Sequence, residues 1–235
     1  MIGLINQDLY PAEFALHEKY AQSGTLLELV WTHCNAVTDL ALSLYDSGKF
    51  DVAGLNRDYL TKACLFHDIG TYRCQGFEWI PDQPPQDKPY IQHVLIGAWI
   101  LKNEGFDNFI VQTARNHTGV GLTAEDIQKY GLDLPVDNYI PRSLIEQIVS
   151  YASKHHSKAP KFKTVPEIIA SLKRFDKQKV SRFNEFINYF GEVVVDPIKD
   201  KYEIWHKAFN YKVQALKENQ MTVDLNSAGI ATMSL

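Results

Sequence analysis

His67 and Asp68 stand side by side after an apolar run, Cys64-Leu65-Phe66, and Ile69-Gly70 follow them. Two adjacent metal-type side chains at the mouth of an apolar element must find partners or take up a cation, because burying either one unpaired is costly. Three further histidines favour the cation. His33 lies 34 residues before His67, His93 lies 25 after Asp68, and His117 lies 24 after His93. Divalent ions in hydrolytic sites need several nitrogen or oxygen ligands and an open position for water. An Asp beside a ligating His can bridge two ions through its two oxygens. Such a pair would hold a hydroxide next to a substrate oxygen, which suits attack on a phosphoester. A lone buried His is commonly a packed core residue. Four of them beside an Asp would each need partners at both ring nitrogens, so the set is read as a metal site.

The elements that must position these residues are predicted to be helices. From Thr25 to about Ser47, Leu26, Val30, Val37, Leu40 and Leu44 recur at helical spacing with His33 on the same stripe. Asn56 is placed to cap the next helix, in which Leu60, Ala63, Cys64 and His67 share a face and which Gly70 is expected to stop. A helix from Tyr90 to Asn103 aligns His93 with Ile96, Gly97 and Ile100; one from about Asp107 aligns Ile110, Thr113 and Ala114 with His117. Residues 71 to 89 carry Pro81, Pro84, Pro85 and Pro89 among Phe77 and Trp79, so they form a long loop. A lid and a surface loop pinned by its aromatics both fit. Thr123-Ala124-Glu125-Asp126 reads as a capped helix start ended by Gly131, and Pro141 as the opening of a helix with Leu144, Ile148, Tyr151 and Ala152 inward.

Past Pro160, helices are expected from Thr164-Val165-Pro166-Glu167, over residues 178 to 191, and from Asp196-Pro197. The last bears a stripe of Ile198, Tyr202, Trp205 and Phe209, suited to packing on the main domain or to a dimer contact. The tail from about Met221 is Ser/Thr/Asn-rich and expected to be loosely held. No apolar–polar alternation is long enough for a sheet. The expected fold class is all-α, a helical bundle over residues 1–160 with a C-terminal helical extension, 161–235, packed on it.

Composition excludes several classes. The 235 residues are 45% hydrophobic and 22% charged with a net charge of -4, and no basic block stands out, so nucleic acid is not expected as a partner. No stretch of about 18 apolar residues exists, and the N-terminus lacks a basic, then apolar, leader, so neither a membrane span nor a secretion signal is expected. Cys34, Cys64 and Cys74 are few and far apart, which points to a reducing, cytoplasmic setting and to buried structural thiols in preference to thiolate ligands. His17 and His206 read as surface or packing residues, and His155-His156 as cations at a Lys-rich helix end.

Trp31-Thr32-His33, His67-Asp68-Ile69-Gly70, His93 and His117, in that order across roughly residues 25 to 155, resemble the HD-domain superfamily of metal-dependent phosphohydrolases. The resemblance is to its HDIG-containing group, with Arg73 soon after the motif and the helix start Leu122–Asp126 after the last His. It implies an all-helical bundle, a first metal on His33, His67 and Asp68, and a second on Asp68, His93 and His117. The family pattern closes with an Asp in a Tyr-Ala-Asp-Lys-like stretch. Here that stretch is Ser150-Tyr151-Ala152-Ser153-Lys154, and Ser153 stands in the Asp position. Three outcomes are open. Water fills the position with Ser153 behind it, His156 reaches in, or the first site is weak. Arg73 and Lys154 are candidate phosphate contacts, and Lys88 and Arg115 are further cations.

The implied activity is hydrolysis of a small, nucleotide-like phosphoester by a metal-bound hydroxide, with Asp68 and His67 at its centre. The implied ions are one or two of manganese, iron, zinc or nickel, since a His-rich site disfavours all-magnesium occupancy. Two rivals stand beside it: a di-iron oxygenase on the same fold, and a metal- or ligand-binding module that lost turnover with the Asp. The expected partner is a small phosphorylated molecule, with a homodimer left open.

Overall fold

The computed structural model describes residues 4–227. Among these residues ten α-helices follow one another: α1 (Pro11–Tyr20), α2 (Gly24–Asp46), α3 (Arg57–Phe66), α4 (His93–Asn103), α5 (Asn108–Asn116), α6 (Ala124–Tyr130), α7 (Leu144–Ser153), α8 (Val165–Lys173), α9 (Lys177–Phe190) and α10 (Asp196–Ser227). Among the described residues the only sheet is a short antiparallel hairpin, β1 (His156–Ser157) with β2 (Lys161–Phe162). The fold is all-α. No helix among the described residues is long and apolar enough to cross a membrane. The residues beyond Ser227 lie outside the described residues; before them the chain that was expected to be a loose tail continues α10.

The long helix α2 is the spine. Its stripe Leu26, Val30, Val37, Leu40 and Leu44 is buried in the core, and α3, α7 and α10 pack against it. Local chemistry sets where the helices begin. Asn56 accepts from the amides of Asp58 and Tyr59 at the start of α3, and Asp107 accepts from those of Phe109 and Ile110 at the start of α5. Thr123 with Asp126, Ser143 with Glu146 and Thr164 with Glu167 form reciprocal capping boxes. The second of these corrects the expected start of α7. Pro141 stands outside the helix, because Ser143 and Glu146 satisfy the first free amides two residues later.

Gly70 has a different role from the one expected. α3 ends at Phe66 with His67 still in right-handed helical conformation, and the chain tightens into a 3-10 turn over Ile69–Arg73. Gly70 is not among the positive-φ glycines, so it does not act as a left-handed helix stop. It supplies room. A Cβ at Gly70 would lie 2.1 Å from the carbonyl oxygen of His93 and 2.4 Å from the amide nitrogen of Gly97. The turn that carries His67-Asp68 is therefore pressed backbone to backbone on α4, which brings His93 beside Asp68.

The proline-rich loop is pinned. Cys74 bridges to Lys88, and the Gln75 amide donates to the Lys88 carbonyl at 2.8 Å. Phe77 and Ile80 are buried, and Trp79 meets Phe209 of α10 edge-on at 6.0 Å. α10 lies on α2 through buried Tyr202, Phe209 and Val213, with Tyr202 and Lys201 both reaching Asp39. The three cysteines are buried and free, and burial pushes their thiols up, that of Cys74 to about 12. None belongs to a metal-type cluster among the described residues.

α9 steadies the segment after His117. The Lys179 ammonium pairs with Asp126 and donates to the Gly121 carbonyl at 2.8 Å. Lys179→Ala removes both charged hydrogen bonds and is expected to lower stability by about 2 kcal/mol. That is a fall in Tm of roughly 4–8 °C for a chain of this size. An unchanged Tm in thermal denaturation would show that the pair does not hold this segment.

Candidate metal centre

Asp68 is the hub, 1% exposed and ringed by imidazoles from four elements. His33 Nε2 lies 3.0 Å and His67 Nε2 3.2 Å from its Oδ2; His93 Nε2 and His117 Nε2 lie 3.5 and 3.4 Å from its Oδ1. His33 comes from the middle of α2, His67 from the end of α3, His93 from the start of α4 and His117 from the end of α5. The ligand atoms fall into two buried groups that share Asp68: His33 and His67 on one side, His93 and His117 on the other. Each helix presents its His from an inward stripe, so packing fixes the direction of each ring.

The proton positions follow from the outer nitrogens. Nδ1 of His67 donates to the Cys64 carbonyl at 2.6 Å, that of His93 to the Tyr90 carbonyl at 2.6 Å, and that of His117 to the Ala114 carbonyl at 2.9 Å. With Nδ1 protonated, Nε2 of a neutral His93 or His117 ring carries only a lone pair. His93 Nε2 and His117 Nε2 then face one another lone pair to lone pair at 3.2 Å. The Thr118 hydroxyl, 3.2 Å from His93 Nε2, can serve one of them. A cation between the rings relieves the pair, so the donor set fits a divalent metal. Burial favours the neutral form of three of these rings. It pushes His33 down to about 3, helped by the nearby Lys158 ammonium, pushes His93 down to about 3, and lowers His117. Burial works to raise the Asp68 carboxyl, but the Lys158 ammonium outweighs it and holds it well below the usual carboxylate range.

Lys158 is the feature that helix periodicity does not reveal. It follows β1 in the turn before Pro160, and its ammonium pairs with Asp68 Oδ2 and donates to the Tyr90 hydroxyl at 2.7 Å. Ser153 is nearby, but its hydroxyl donates to the Ser150 carbonyl at 3.0 Å. His156 does not reach in to Asp68. It sits behind His33, with the two Nδ1 atoms 2.9 Å apart. The expectation that His155-His156 are cations at a Lys-rich helix end is corrected, since both are buried and His156 belongs to β1. His17 is a packing residue, buried between the Tyr72 hydroxyl and the Leu65 carbonyl. His206 is neither plain surface nor plain packing, because its Nε2 lies 3.1 Å from His156 Nε2.

The centre opens into a cavity of about 790 Å³. Its lining includes the cations Lys154, Lys158 and Lys163 and the largely apolar side chains of Trp79, Tyr130, Ile168, Leu172 and Phe175. The Lys154 ammonium takes part in no side-chain hydrogen bond or ion pair among the described residues, and burial together with Lys163 and Lys158 lowers it to about 8. Arg73 and Lys88, expected near a substrate, do not line this cavity. Nor does Arg115, which is held by Asp137 at 2.5 Å and stacked on Tyr139.

A model of the HD domain matches residues 30–164, more than half of the chain. The chain belongs to the HD domain family. All five ligand-type residues, Ser153 and Lys158 lie inside the matched span, and α8 to α10 lie beyond it. Two relatives named tRNA (cytidine(56)-2'-O)-methyltransferase share 32% identity: one from Thermoplasma volcanium over 57% of this chain and 32% of its own length, one from Picrophilus torridus over 53% and 30%. An uncharacterized protein of Methanocaldococcus jannaschii is 33% identical over 53% of this chain and 64% of its own length. The chain thus matches about a third of the two methyltransferases. Among solved structures, the HD domain of the L. monocytogenes phosphodiesterase PgpH aligns with 87% of this chain and 98% of its own at 17% identity, with a TM-score of 0.44.

Proposed function

We propose that this HD-domain chain is a metal-dependent phosphohydrolase acting on a small phosphoester with a nucleotide-like body. The observation that carries the reading is the ring of four imidazole Nε2 atoms closed around a buried, ionised Asp68. His33, His67 and Asp68 would hold one divalent ion, and Asp68, His93 and His117 a second. Such ions supply a hydroxide near neutral pH and offset phosphate charge. The chain's own groups do the rest. Asp68 presents one oxygen to each side, the carbonyls behind His67, His93 and His117 fix the ring directions, and the buried setting strengthens every charge interaction inside it. Lys154 and Lys163 stand ready for phosphate oxygens, and the apolar side chains of the lining suit a base. The methyltransferase names of two relatives are consistent with a nucleotide-type ligand. Methyl transfer itself is not carried over, because this chain matches only about a third of those proteins.

The test is turnover of nucleoside monophosphates and cyclic nucleotides with added manganese, with and without chelator. Metal-dependent release of phosphate or nucleotide is expected, and its loss in a His67→Ala/Asp68→Ala double variant. Unchanged turnover in that variant rejects the mechanism. Lys154 adds a pH signature. It is charged below about 8 and neutral above, owing to burial and the neighbouring Lys163 and Lys158. Substrate KM is therefore expected to rise as pH passes upward through about 8. Lys154→Met is expected to raise KM about tenfold at pH 7 and to remove that rise. A wild-type KM that is flat from pH 7 to 9 would remove Lys154 from the substrate site.

Ser153 favours a second reading, a module that holds metal without turnover. Its hydroxyl is engaged by the Ser150 carbonyl, and the Lys158 ammonium stands on Asp68. On that reading Ser153→Asp raises activity from nothing. A native rate of about 1 per second or more rejects it.

A further inference from the structure

Behind His33 runs a chain of three imidazoles. His33 Nδ1 lies 2.9 Å from His156 Nδ1, and His156 Nε2 lies 3.1 Å from His206 Nε2. His33 and His156 are 3% exposed, and His206, on α10, is only partly buried. The Phe162 ring meets His156 edge-on at 4.8 Å and lies 5.8 Å from His206, so β2 braces both. A contact of 2.9 or 3.1 Å between two ring nitrogens needs one N–H and one lone pair, and so little water around His33 and His156 disfavours a charged ring, so each ring in the chain acts with one donor and one acceptor nitrogen.

A chain of neutral rings linked nitrogen to nitrogen has two self-consistent proton arrangements. In the first, His33 Nε2–H donates to Asp68 Oδ2 at 3.0 Å. His33 Nδ1 then accepts from His156 Nδ1–H, and His156 Nε2 accepts from His206 Nε2–H. In the second, His33 Nε2 is a bare lone pair. His33 Nδ1–H then donates to His156 Nδ1, His156 Nε2–H donates to His206 Nε2, and His206 carries its proton on Nδ1. Only the second leaves His33 able to ligate a metal.

We infer that His156 and His206 are positioning residues that set the tautomer of His33, so that metal capture at His33 switches all three rings together. The inference rests on the metal reading above. It gives α10, which lies outside the span matched by the family model, a part in the metal site. The switch conserves protons. One leaves His33 Nε2 to solvent, one moves from His156 Nδ1 to His33 Nδ1, one moves from His206 Nε2 to His156 Nε2, and His206 Nδ1 takes one from solvent.

The test is the histidine side-chain 1H–15N correlation spectrum of the full chain, metal-free and with zinc. Metal-free, the protons are expected on His33 Nε2, His156 Nδ1 and His206 Nε2. With zinc, the His206 proton is expected to move to Nδ1 although His206 is not a ligand. Zinc shifts at His33 with no change at His206 would overturn the inference. Should zinc leave His33 unchanged, metal capture there has failed, and the metal-free pattern decides: any other set of tautomers overturns the relay. Affinity supplies the second readout. His156→Leu is expected to weaken zinc binding about 10–100-fold, whereas His156→Asn, whose Oδ1 can still accept from His33 Nδ1–H, stays within about threefold. Equal losses in the two variants, with Tm unchanged, would reduce His156 to packing and contradict the relay.

Discussion

Asp68→Ala is expected to release metal from both sides of the centre and to lower hydrolysis by on the order of 10³-fold or more. The carboxylate serves both ligand groups, so neither keeps three protein ligands without it. The variant also has a stability signature. Asp68 is buried and Lys158 mostly so, with side chains 2% and 15% exposed, and with Asp68 gone the Lys158 ammonium keeps only the Tyr90 hydroxyl as a hydrogen-bond partner. An ammonium left without its counter-charge costs about 3–5 kcal/mol, so the metal-free variant is expected to melt well below the metal-free wild type. Asp68→Ala combined with Lys158→Met should recover much of that stability and none of the metal. Recovery of metal in the double variant would show that Asp68 is not a ligand. Failure to recover stability would show that the pair does not govern the fold.

Gly70→Ala is expected to be the most damaging Gly→Ala change among the described glycines. The added carbon would meet the His93 carbonyl at 2.1 Å and the Gly97 amide at 2.4 Å, both backbone atoms that no rotamer change can move aside. The turn must lift off α4, which separates His67 and Asp68 from His93. Overpacking of this kind costs about 3 kcal/mol, or a Tm lower by roughly 6–12 °C. The metal on the His93 and His117 side should weaken with it. Gly131→Ala is the contrasting variant, strained by its positive φ of 58° but with open space around it. A Gly70→Ala protein with wild-type Tm and metal affinity would mean that the close approach of the turn to α4 is unimportant.

The four ligand-bearing helices were legible in the sequence because each His shares a stripe with apolar residues, and that periodicity decides which way it points. The capping residues Asn56, Thr123 and Thr164 were legible because capping is local chemistry. Gly70 was recognised but misread, since its neighbour is backbone more than twenty residues away and no local pattern records such an approach. Pro141 drew attention away from Ser143, whose capping box with Glu146 sets the start of α7. Lys158, Lys163 and the contacts of His156 were out of reach for another reason. They sit on a hairpin of two-residue strands, too short for any alternation to show. The partners they meet, His33 at a separation of 123 residues and His206 at 50, are joined by the tertiary fold alone.

Lys158 also bears on the departure at Ser153. In the first ligand group a metal competes with an ammonium already on Asp68 Oδ2, and Ser153 adds no negative charge in the family's Asp position. The two groups are thus expected to differ in affinity, with the His33 side the weaker.

The most direct measurement is elemental analysis of metal per chain, made on protein purified without chelator and loaded with manganese, beside Asp68→Ala treated identically. The account requires two ions per wild-type chain and none in the variant, with the second ion filling only at the higher manganese concentrations. A wild-type chain that holds no metal, or an Asp68→Ala chain that holds as much as wild type, would contradict it.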